Sequence, residues 1–151
     1  MKIILTCPRT PRLYHTGLEN LTMSLAKALV GTGVDVEIFT TAPEPLNGTV
    51  AEGIPVKEFA GVVLNDSYFF SKGLFDAIRK SDADIVQAQG YNNLVSLLAL
   101  MAKRADQKFV FYLCASGASS AFRKALRGIF DLAVRAFAGK ADLVIYSGED
   151  E

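Results

Sequence analysis

Lys2-Ile3-Ile4-Leu5-Thr6-Cys7 is a compact apolar run close to the start of the chain. Two adjacent isoleucines without a polar face are typical of a strand that is buried on both sides in a parallel sheet. Apolar residues then recur at helical spacing over residues 18–30, and Gly31 and Gly33 supply a stop. A buried strand followed by an amphipathic helix predicts the first unit of an alternating α/β fold.

The same alternation continues along the rest of the chain. Strands are predicted at 34–41, 56–60, 84–89, 108–114 and 142–146, and helices at 67–80, from Asn92 or Asn93 to Arg104, and from Ser119 or Ser120 to Ala138. Strands that alternate with helices imply crossover connections and a mostly parallel sheet. The predicted fold class is therefore α/β, a doubly wound, Rossmann-like sheet with helices on both faces, formed by residues 1–151 as a single domain.

Composition excludes several classes of function. Of the 151 residues half are hydrophobic, and 16 Lys and Arg balance 16 Asp and Glu. No overall field attracts a polyanion, so no nucleic-acid partner is expected. No signal peptide is recognisable, and no apolar run reaches the roughly 18 residues of a membrane span. Cys7 and Cys114 have no Cys or His at metal-ligand spacing, so we predict reduced core thiols in a cytoplasmic protein, and no metal site.

Ligand sites in such sheets gather at the carboxyl ends of the strands, here residues 8–17, 90–93, 115–120 and 147–149. Thr16-Gly17-Leu18-Glu19 fits a capping box, and the same small-residue turn exposes amide donors that suit a phosphate; the two interpretations are compatible. The dinucleotide fingerprint G-x-G-x-x-G and the Walker sequence are absent from this loop. A dinucleotide or a nucleoside triphosphate is therefore not expected there.

The other turns offer hydroxyl and amide groups ahead of helices. Ser116, Gly117 and Ser119 can hold a sugar or phosphate, or simply cap a helix. Tyr91 offers an aromatic face to a sugar ring, and a plain loop is the alternative. His15, the sole histidine, is a candidate ligand or a solvated loop residue. The helix at 119–138 is basic and amphipathic, which leaves open peripheral contact with an anionic membrane or an ordinary core-facing stripe.

Several of these segments resemble the retaining glycosyltransferases with GT-B fold that include glycogen synthases and phosphatidylinositol mannosyltransferases. Thr16-Gly17-Leu18-Glu19 looks like the Gly-Gly-x-Glu helix start of that family, and Asp84-Ile85-Val86-Gln87-Ala88-Gln89 is similar to its Asp-Ile-Val-His-x-His strand. Ala141-Asp142-Leu143-Val144-Ile145-Tyr146-Ser147 looks like its Ala-Asp-x-Val-Ile-x-Val-Ser. The matching segments, which also include 1–8, 25–29, 33–36 and 109–117, follow one another in order along the whole chain.

The resemblance implies an N-terminal, acceptor-binding half of an enzyme that moves a sugar from a nucleotide-sugar donor to an acceptor hydroxyl. It places the donor phosphate at Thr16 and Gly17. The implied acceptor-binding residues are His15, Gln89, Tyr91, Ser116, Gly117 and Ser119. No general base or nucleophile is assigned, because Gln87 and Gln89 stand where the family has histidines. The nucleotide sugar is a substrate, and no cofactor is expected.

The resemblance also implies a C-terminal donor-binding domain that is absent from this chain, which we interpret as a fragment or an isolated domain with no activity alone. The exposed cleft face suggests a homo-oligomer. One alternative is a non-catalytic Rossmann-like binding or interaction domain. A flavodoxin-like or response-regulator-like domain is a weaker alternative, because the first strand lacks paired acidic residues and the first loop lacks a hydroxyl-rich phosphate cradle.

Overall fold

The first strand lies at the centre of the sheet in a computed structural model of the chain. The model describes residues 1–15, 17–64, 68–90, 93–114, 132 and 139–147. The elements are β1 (Lys2–Cys7), α1 (Gly17–Gly31), β2 (Asp35–Ala42), β3 (Thr49–Ala51), β4 (Ile54–Ala60), β5 (Val62–Leu64), β6 (Tyr68–Phe70), α2 (Lys72–Lys80), β7 (Ile85–Gln89), α3 (Leu94–Ala102), β8 (Lys108–Cys114) and β9 (Leu143–Ser147).

Seven strands form one sheet in the order β3-β4-β2-β1-β7-β8-β9. Every neighbouring pair is parallel except β3 and β4, which form an antiparallel hairpin. The chain builds outward from β1 through β2 to β4, and then returns to place β7, β8 and β9 on the other side. The doubly wound α/β fold is thus confirmed, and its switch in direction lies between β1 and β7.

Alternating side chains of β1 divide the core between the two faces of the sheet. Ile3 and Leu5 pack with Met23 and Ala26 of α1. Ile4 points to the opposite face, where the buried cluster includes residues of α2 and α3. A strand with apolar residues on both faces can bury all of them only in the middle of a sheet that is covered by helices on both sides. This is why the opening run lies at the centre.

The predicted helix at 67–80 is wrong in its first part. Residues 68–70 form β6, which pairs with β5 in a separate antiparallel hairpin. The helix begins at Lys72 because Ser71 is its N-cap: the Ser71 hydroxyl accepts from the Leu74 amide (3.2 Å) and donates to the Ala60 carbonyl (2.8 Å). The aromatic run Tyr68-Phe69-Phe70 itself favours a strand.

The remaining elements follow the sequence more closely. The predicted strands are confirmed within two residues at each end, although β3 and β5 were not predicted. The helix predicted to reach Arg104 ends at Ala102. The helix predicted from Ser119 or Ser120 to Ala138 lies outside the described residues, apart from Leu132. Within the part that the structure describes, no helix is both long and apolar enough to cross a membrane.

Of the two predicted core thiols, the structure describes only that of Cys7. Cys7 is a free, fully buried thiol. Burial raises its pKa to about 12, so this thiol stays protonated and unreactive at neutral pH. The side chain of Cys114 lies outside the described residues.

Candidate functional site

The switch point between β1 and β7 brings two predicted site segments to the same edge of the sheet. The loop after β1 leads to Gly17, the first residue of α1, and β7 ends at Gln89. In doubly wound sheets this crevice, outside the carboxyl ends of the strands, is where ligands bind. The other predicted site residues, Thr16, Tyr91, Ser116, Gly117 and Ser119, lie outside the described residues.

Gln89 is a fully buried amide at this edge. Leu5 of β1 lies beside Gln87 of β7, so Gln87 and Gln89 face the same side of the sheet as α1. Among the described residues, neither the Nε2 nor the Oε1 atom of Gln89 has a hydrogen-bond partner. Leaving a buried amide unpaired costs about 1–3 kcal/mol. A buried group that is unpaired among the described residues needs an explanation, and its place at a switch point makes Gln89 a candidate for ligand binding.

Gln107, another fully buried glutamine, shows how the fold treats a structural amide. Its Nε2 donates to the Ser81 hydroxyl (3.0 Å) and the Ala83 carbonyl (3.1 Å), and its Oε1 accepts from the Arg104 amide (3.0 Å). Every polar atom of this side chain is therefore paired inside the protein. The contrast singles out Gln89 as a buried amide whose side chain has no partner among the described residues.

The turn after β7 is built to end the strand sharply and start α3. Gly90 has a positive φ of 78°, a conformation that favours glycine, and its amide donates to the Tyr112 carbonyl (2.9 Å). Of the two N-cap candidates that the sequence offered for α3, Asn92 and Asn93, the structure has Asn93. Its Oδ1 accepts from the Ser96 amide (2.8 Å). Asn93 Nδ2 donates back to the Gln89 and Gly90 carbonyls. These bonds fix the position of Gln89 at the edge.

The start of α1 is open to solvent beside Gly17. A methyl group added at Gly17 would meet no atom within 4 Å, and the residue has no positive φ. Nothing in the fold therefore requires glycine here. The open approach is consistent with a phosphate that contacts the exposed amides at the positive end of the helix.

A buried glutamate lies in the first turn of α1, where it is paired. The Glu19 side chain is fully buried, and its Oε1 accepts from Arg9 Nε (2.9 Å). The Arg9 guanidinium in turn lies 4.9 Å from the centre of the Tyr14 ring. Arg9 therefore offsets the negative charge of the carboxylate in the first turn of α1.

A second buried glutamate, Glu58 of β4, anchors the first loop. Its Oε1 accepts from the Thr10 hydroxyl and from Arg12 Nε (3.0 Å), and its Oε2 accepts from Arg12 Nη2 (3.2 Å) and the Leu46 amide (3.0 Å). Burial would raise the pKa of Glu58, but the hydrogen bonds from Arg12, Thr10 and Leu46 outweigh it and lower the pKa. The carboxylate therefore stays charged and holds Arg12 in a fixed orientation.

Sequence reasoning missed Glu58 and Arg12, and it named Glu19 in a capping box without its partner Arg9, although a signal for Glu58 was available. Ile54 and Val56 are buried on one face of β4, and Glu58 occupies the next inward position of that alternation. A carboxylate at an inward position must find partners, so the pattern indicates a buried ion pair. It does not indicate which cation lies opposite.

His15 of the predicted site does not lie with Gln89 in any contact that the structure describes. It lines a cleft of about 400 Å³ beside α1. The cleft is lined by Pro11, Arg12, His15, Asn20, Met23, Ser24, Lys27, Val50, Ala51 and Glu52. The described residues thus form two neighbouring features: the switch-point edge with Gln89 and Gly17, and this cleft.

Comparison with known families agrees with the fold. Residues 16–151 match the model of the glycosyl transferase 4-like domain. The chain belongs to this family. The resemblance to GT-B glycosyltransferases is thereby confirmed at the level of family and fold, whereas the narrower likeness to glycogen synthases and phosphatidylinositol mannosyltransferases stays a prediction. A comparison with curated proteins finds no match.

Two solved structures share the fold of this glycosyl transferase 4-like domain. One is an alpha-glucosyltransferase in complex with UDP and a 13-mer DNA containing a HMU base, with a TM-score of 0.59 and 12% identity. The other is an alpha-glucosyltransferase in complex with UDP and a 13-mer DNA containing a central A:G mismatch, with a TM-score of 0.56 and 14% identity.

Each comparison covers 97% of this chain, which spans 37% of the length of either structure. Identities this low show similarity of fold alone. The expectation of no nucleic-acid partner gains no support from them, because both are complexes with DNA.

Proposed function

We propose that this domain is the acceptor-binding half of a glycosyltransferase that moves a sugar from a nucleotide-sugar donor to an acceptor hydroxyl. The observation that carries the proposal is the buried amide of Gln89, which has no partner among the described residues, at the switch point of a glycosyl transferase 4-like domain. An amide presents both donors and an acceptor, so it can bind a sugar hydroxyl in either direction. A bound hydroxyl would also satisfy the buried atoms that the fold leaves unpaired.

Gly17 supplies the second element of the proposed site. A donor phosphate approaching from a second domain would meet the exposed amides of the first turn of α1, without a side chain at Gly17 in its way. The two solved relatives of similar fold bind UDP and are much longer than this chain. We therefore expect the chain to need a donor-binding half and to transfer no sugar alone.

The roles of the chain's residues are to bind and orient. Gln89 would bind an acceptor hydroxyl at the switch-point edge, and the helix start would stabilise the negative charge of the leaving nucleotide. No described residue at the edge is assigned as a general base. Orientation alone can supply a large part of the rate of such a transfer.

The test is a sugar-transfer assay with several nucleotide sugars. It compares the chain alone with the chain joined to a donor-binding GT-B C-terminal half. Turnover in the joined form only, lost in Gly17→Val, is the expected result. Gly31→Val is a matched control, because Gly31 lies at the other end of α1 and an added methyl group also meets nothing within 4 Å.

A non-catalytic binding domain is the second candidate. It is favoured by Gln87 and Gln89, neither of which can accept or release a proton at neutral pH. This candidate would be supported over the transferase if the joined protein is folded and binds nucleotide sugar but transfers no sugar to any acceptor.

A further inference from the structure

Two loops at the carboxyl edge of the sheet meet at one buried carboxylate. The first loop, residues 8–15, follows β1, and the second loop, residues 43–48, joins β2 to β3. Because β2 lies between β1 and β4, the first loop crosses the end of β2 to reach Glu58 on β4. On the way the Thr10 amide donates to the Thr41 carbonyl of β2 (3.1 Å). The two loops leave from different strands and share one attachment point.

The carboxylate of Glu58 uses its full hydrogen-bonding capacity on these loops. From the first loop, Oε1 accepts from the Thr10 hydroxyl and from Arg12 Nε (3.0 Å), and Oε2 accepts from Arg12 Nη2 (3.2 Å). From the second loop, Oε2 accepts from the Leu46 amide (3.0 Å). Arg12 Nη2 also donates to the carbonyl of Glu44 in the second loop (3.2 Å). Neither loop can leave Glu58 without breaking a charge-assisted hydrogen bond.

Burial makes these bonds costly to break. The side chain of Glu58 is fully buried, Thr10 is fully buried, and Arg12 keeps 30% exposure. A buried carboxylate that loses a donor pays part of its desolvation penalty without compensation. The arrangement therefore favours a single state in which both loops are attached over states in which one loop leaves alone.

The first loop carries this attachment to the start of α1. The Thr10 carbonyl accepts from the amides of Leu13 (3.1 Å) and Tyr14 (3.1 Å), and these two bonds close one turn. The Tyr14 ring lies 4.9 Å from the guanidinium carbon of Arg9, and Arg9 Nε donates to Glu19 in the first turn of α1 (2.9 Å). A continuous path of contacts therefore runs from β4 to the helix start.

The Gln89 edge is held by a different set of bonds. Asn93 Nδ2 donates to the carbonyls of Gln89 (3.1 Å) and Gly90 (3.0 Å), and Asn93 Oδ1 accepts from the Ser96 amide (2.8 Å). These bonds lie within the turn between β7 and α3. The helix start and the Gln89 edge should therefore respond separately to a change at Glu58.

We propose that Glu58 is a positioning residue, which couples the two loops into one unit and thereby sets the position of the α1 start for the donor phosphate. Glu58 acts through Thr10 and Arg12, the residues of the first loop that it binds. The coupling of the loops is a property of the fold alone. The effect on the donor rests on the proposed function.

Amide hydrogen exchange in the chain tests the coupling, which a path of contacts alone does not demonstrate. Thr10→Val keeps the shape of the side chain and removes its hydroxyl bond to Glu58. If the loops form one unit, exchange of the Leu46 amide in the second loop should become about tenfold faster or more, the effect of one hydrogen bond to a charged group. If the loops open independently, the Leu46 amide should keep its wild-type rate.

Thr41→Val is the matched control. Thr41 is also fully buried, and its hydroxyl donates to the Pro8 carbonyl of the same loop (2.5 Å), but this bond does not involve Glu58. Pro8 directly follows the paired residues Cys7 and Thr40 of the sheet, so the bond should stay formed when the loops leave Glu58. Thr41→Val should therefore leave exchange of the Leu46 amide unchanged.

Glu58→Gln should loosen both loops together, because an amide offers one acceptor oxygen in place of two. Exchange of the Leu46 amide and of the Tyr14 amide should rise by a similar factor. The Ser96 amide, bonded to Asn93 at the start of α3, should keep its protection and so report an intact fold. If this variant fails to fold, the comparison of Thr10→Val with Thr41→Val still decides the coupling.

Kinetics of the joined protein separate positioning from folding. Glu58→Gln should raise the KM for the nucleotide sugar about tenfold, the effect of one lost hydrogen bond to a phosphate, with the KM for the acceptor unchanged. Arg12→Lys keeps the charge opposite Glu58 but loses the planar pair of donors, so it should have a smaller effect in the same direction. A folding defect would instead lower the apparent kcat and leave both KM values unchanged.

The coupling, the donor role and the proposed function can fail separately. A Leu46 exchange rate that is unchanged in Thr10→Val, or raised equally by Thr41→Val, would overturn the coupling through Glu58. Transfer with an unchanged donor KM in Glu58→Gln would overturn the donor role. Coupled exchange without transfer by the joined wild-type protein would keep the coupling and contradict the proposed function.

Discussion

Replacing Glu58 by glutamine tests the anchor that holds the first loop. The carboxylate accepts from Thr10, from two nitrogens of Arg12 and from the Leu46 amide, and its side chain is fully buried. Breaking one partner of a buried ion pair costs about 3–5 kcal/mol. Because the Arg12 side chain keeps 30% exposure, we expect a loss near the lower end, about 3 kcal/mol.

The pH dependence of stability gives this prediction a second readout. The pKa of Glu58 is lowered in the folded chain, so its contribution is present above the unfolded pKa of about 4.3 and is lost as the pH falls through the folded value. Wild-type stability should therefore fall below about pH 5. In Glu58→Gln that part of the fall should be missing.

The assay is urea unfolding followed by circular dichroism at several pH values. A loss of about 3 kcal/mol corresponds to roughly 6–12 °C in melting temperature for a domain of this size. Glu44→Gln is the control, because Glu44 hydrogen-bonds Arg12 only through its backbone carbonyl, and the attraction between its exposed carboxylate and Arg12 should contribute less than about 1 kcal/mol. A loss below about 1 kcal/mol, the level of a surface pair, or an unchanged pH profile would refute the reasoning.

Three further predictions concern stability and are checked by the same unfolding measurement. Gln89→Leu should leave the free energy of unfolding unchanged or raise it by up to about 1–3 kcal/mol, because it removes an amide that has no partner among the described residues. Gln107→Leu should lower the free energy of unfolding, because three polar groups lose their hydrogen-bond partner. Equal effects of the two would contradict the assignment of Gln89. Ser71→Ala should cost about 1 kcal/mol through the lost cap at Leu74; no loss would show that the cap does not hold α2. Gly17→Ala should be neutral or slightly stabilising, and a clear loss would mean that the fold needs glycine there.

The central strands could be predicted from sequence because their apolar residues are dictated by burial on both faces. β1 has this character on both faces, whereas β7 and β8 have it on the face that packs against α2 and α3, and the topology rule then places the site at their carboxyl ends. Short elements could not be predicted, since β3 and β5 have three residues each and exist only through their partners. The start of α2 was misplaced because Ser71 is fixed by a carbonyl eleven residues away.

The partner of Glu58 in its ion pair was beyond the reach of sequence patterns. Arg12 and Glu58 are 46 residues apart, and their pairing depends on how β4 lies beside the loop after β1. The unpaired state of Gln89 is likewise a property of the packed edge. The sequence made Gln89 a candidate through a family resemblance. The structure adds a separate physical reason, which is that its buried amide has no partner among the described residues.

The rate of sugar transfer against acceptor concentration, in the joined protein, tests the acceptor-binding role most directly. Gln89→Leu should lower kcat/KM for the acceptor about 10–100-fold, the effect of one or two lost hydrogen bonds, with the KM for the nucleotide sugar unchanged. Gln87→Leu, two residues earlier on the same face of β7, should have little effect. Unchanged acceptor kinetics in Gln89→Leu, or a change confined to the donor, would contradict the account.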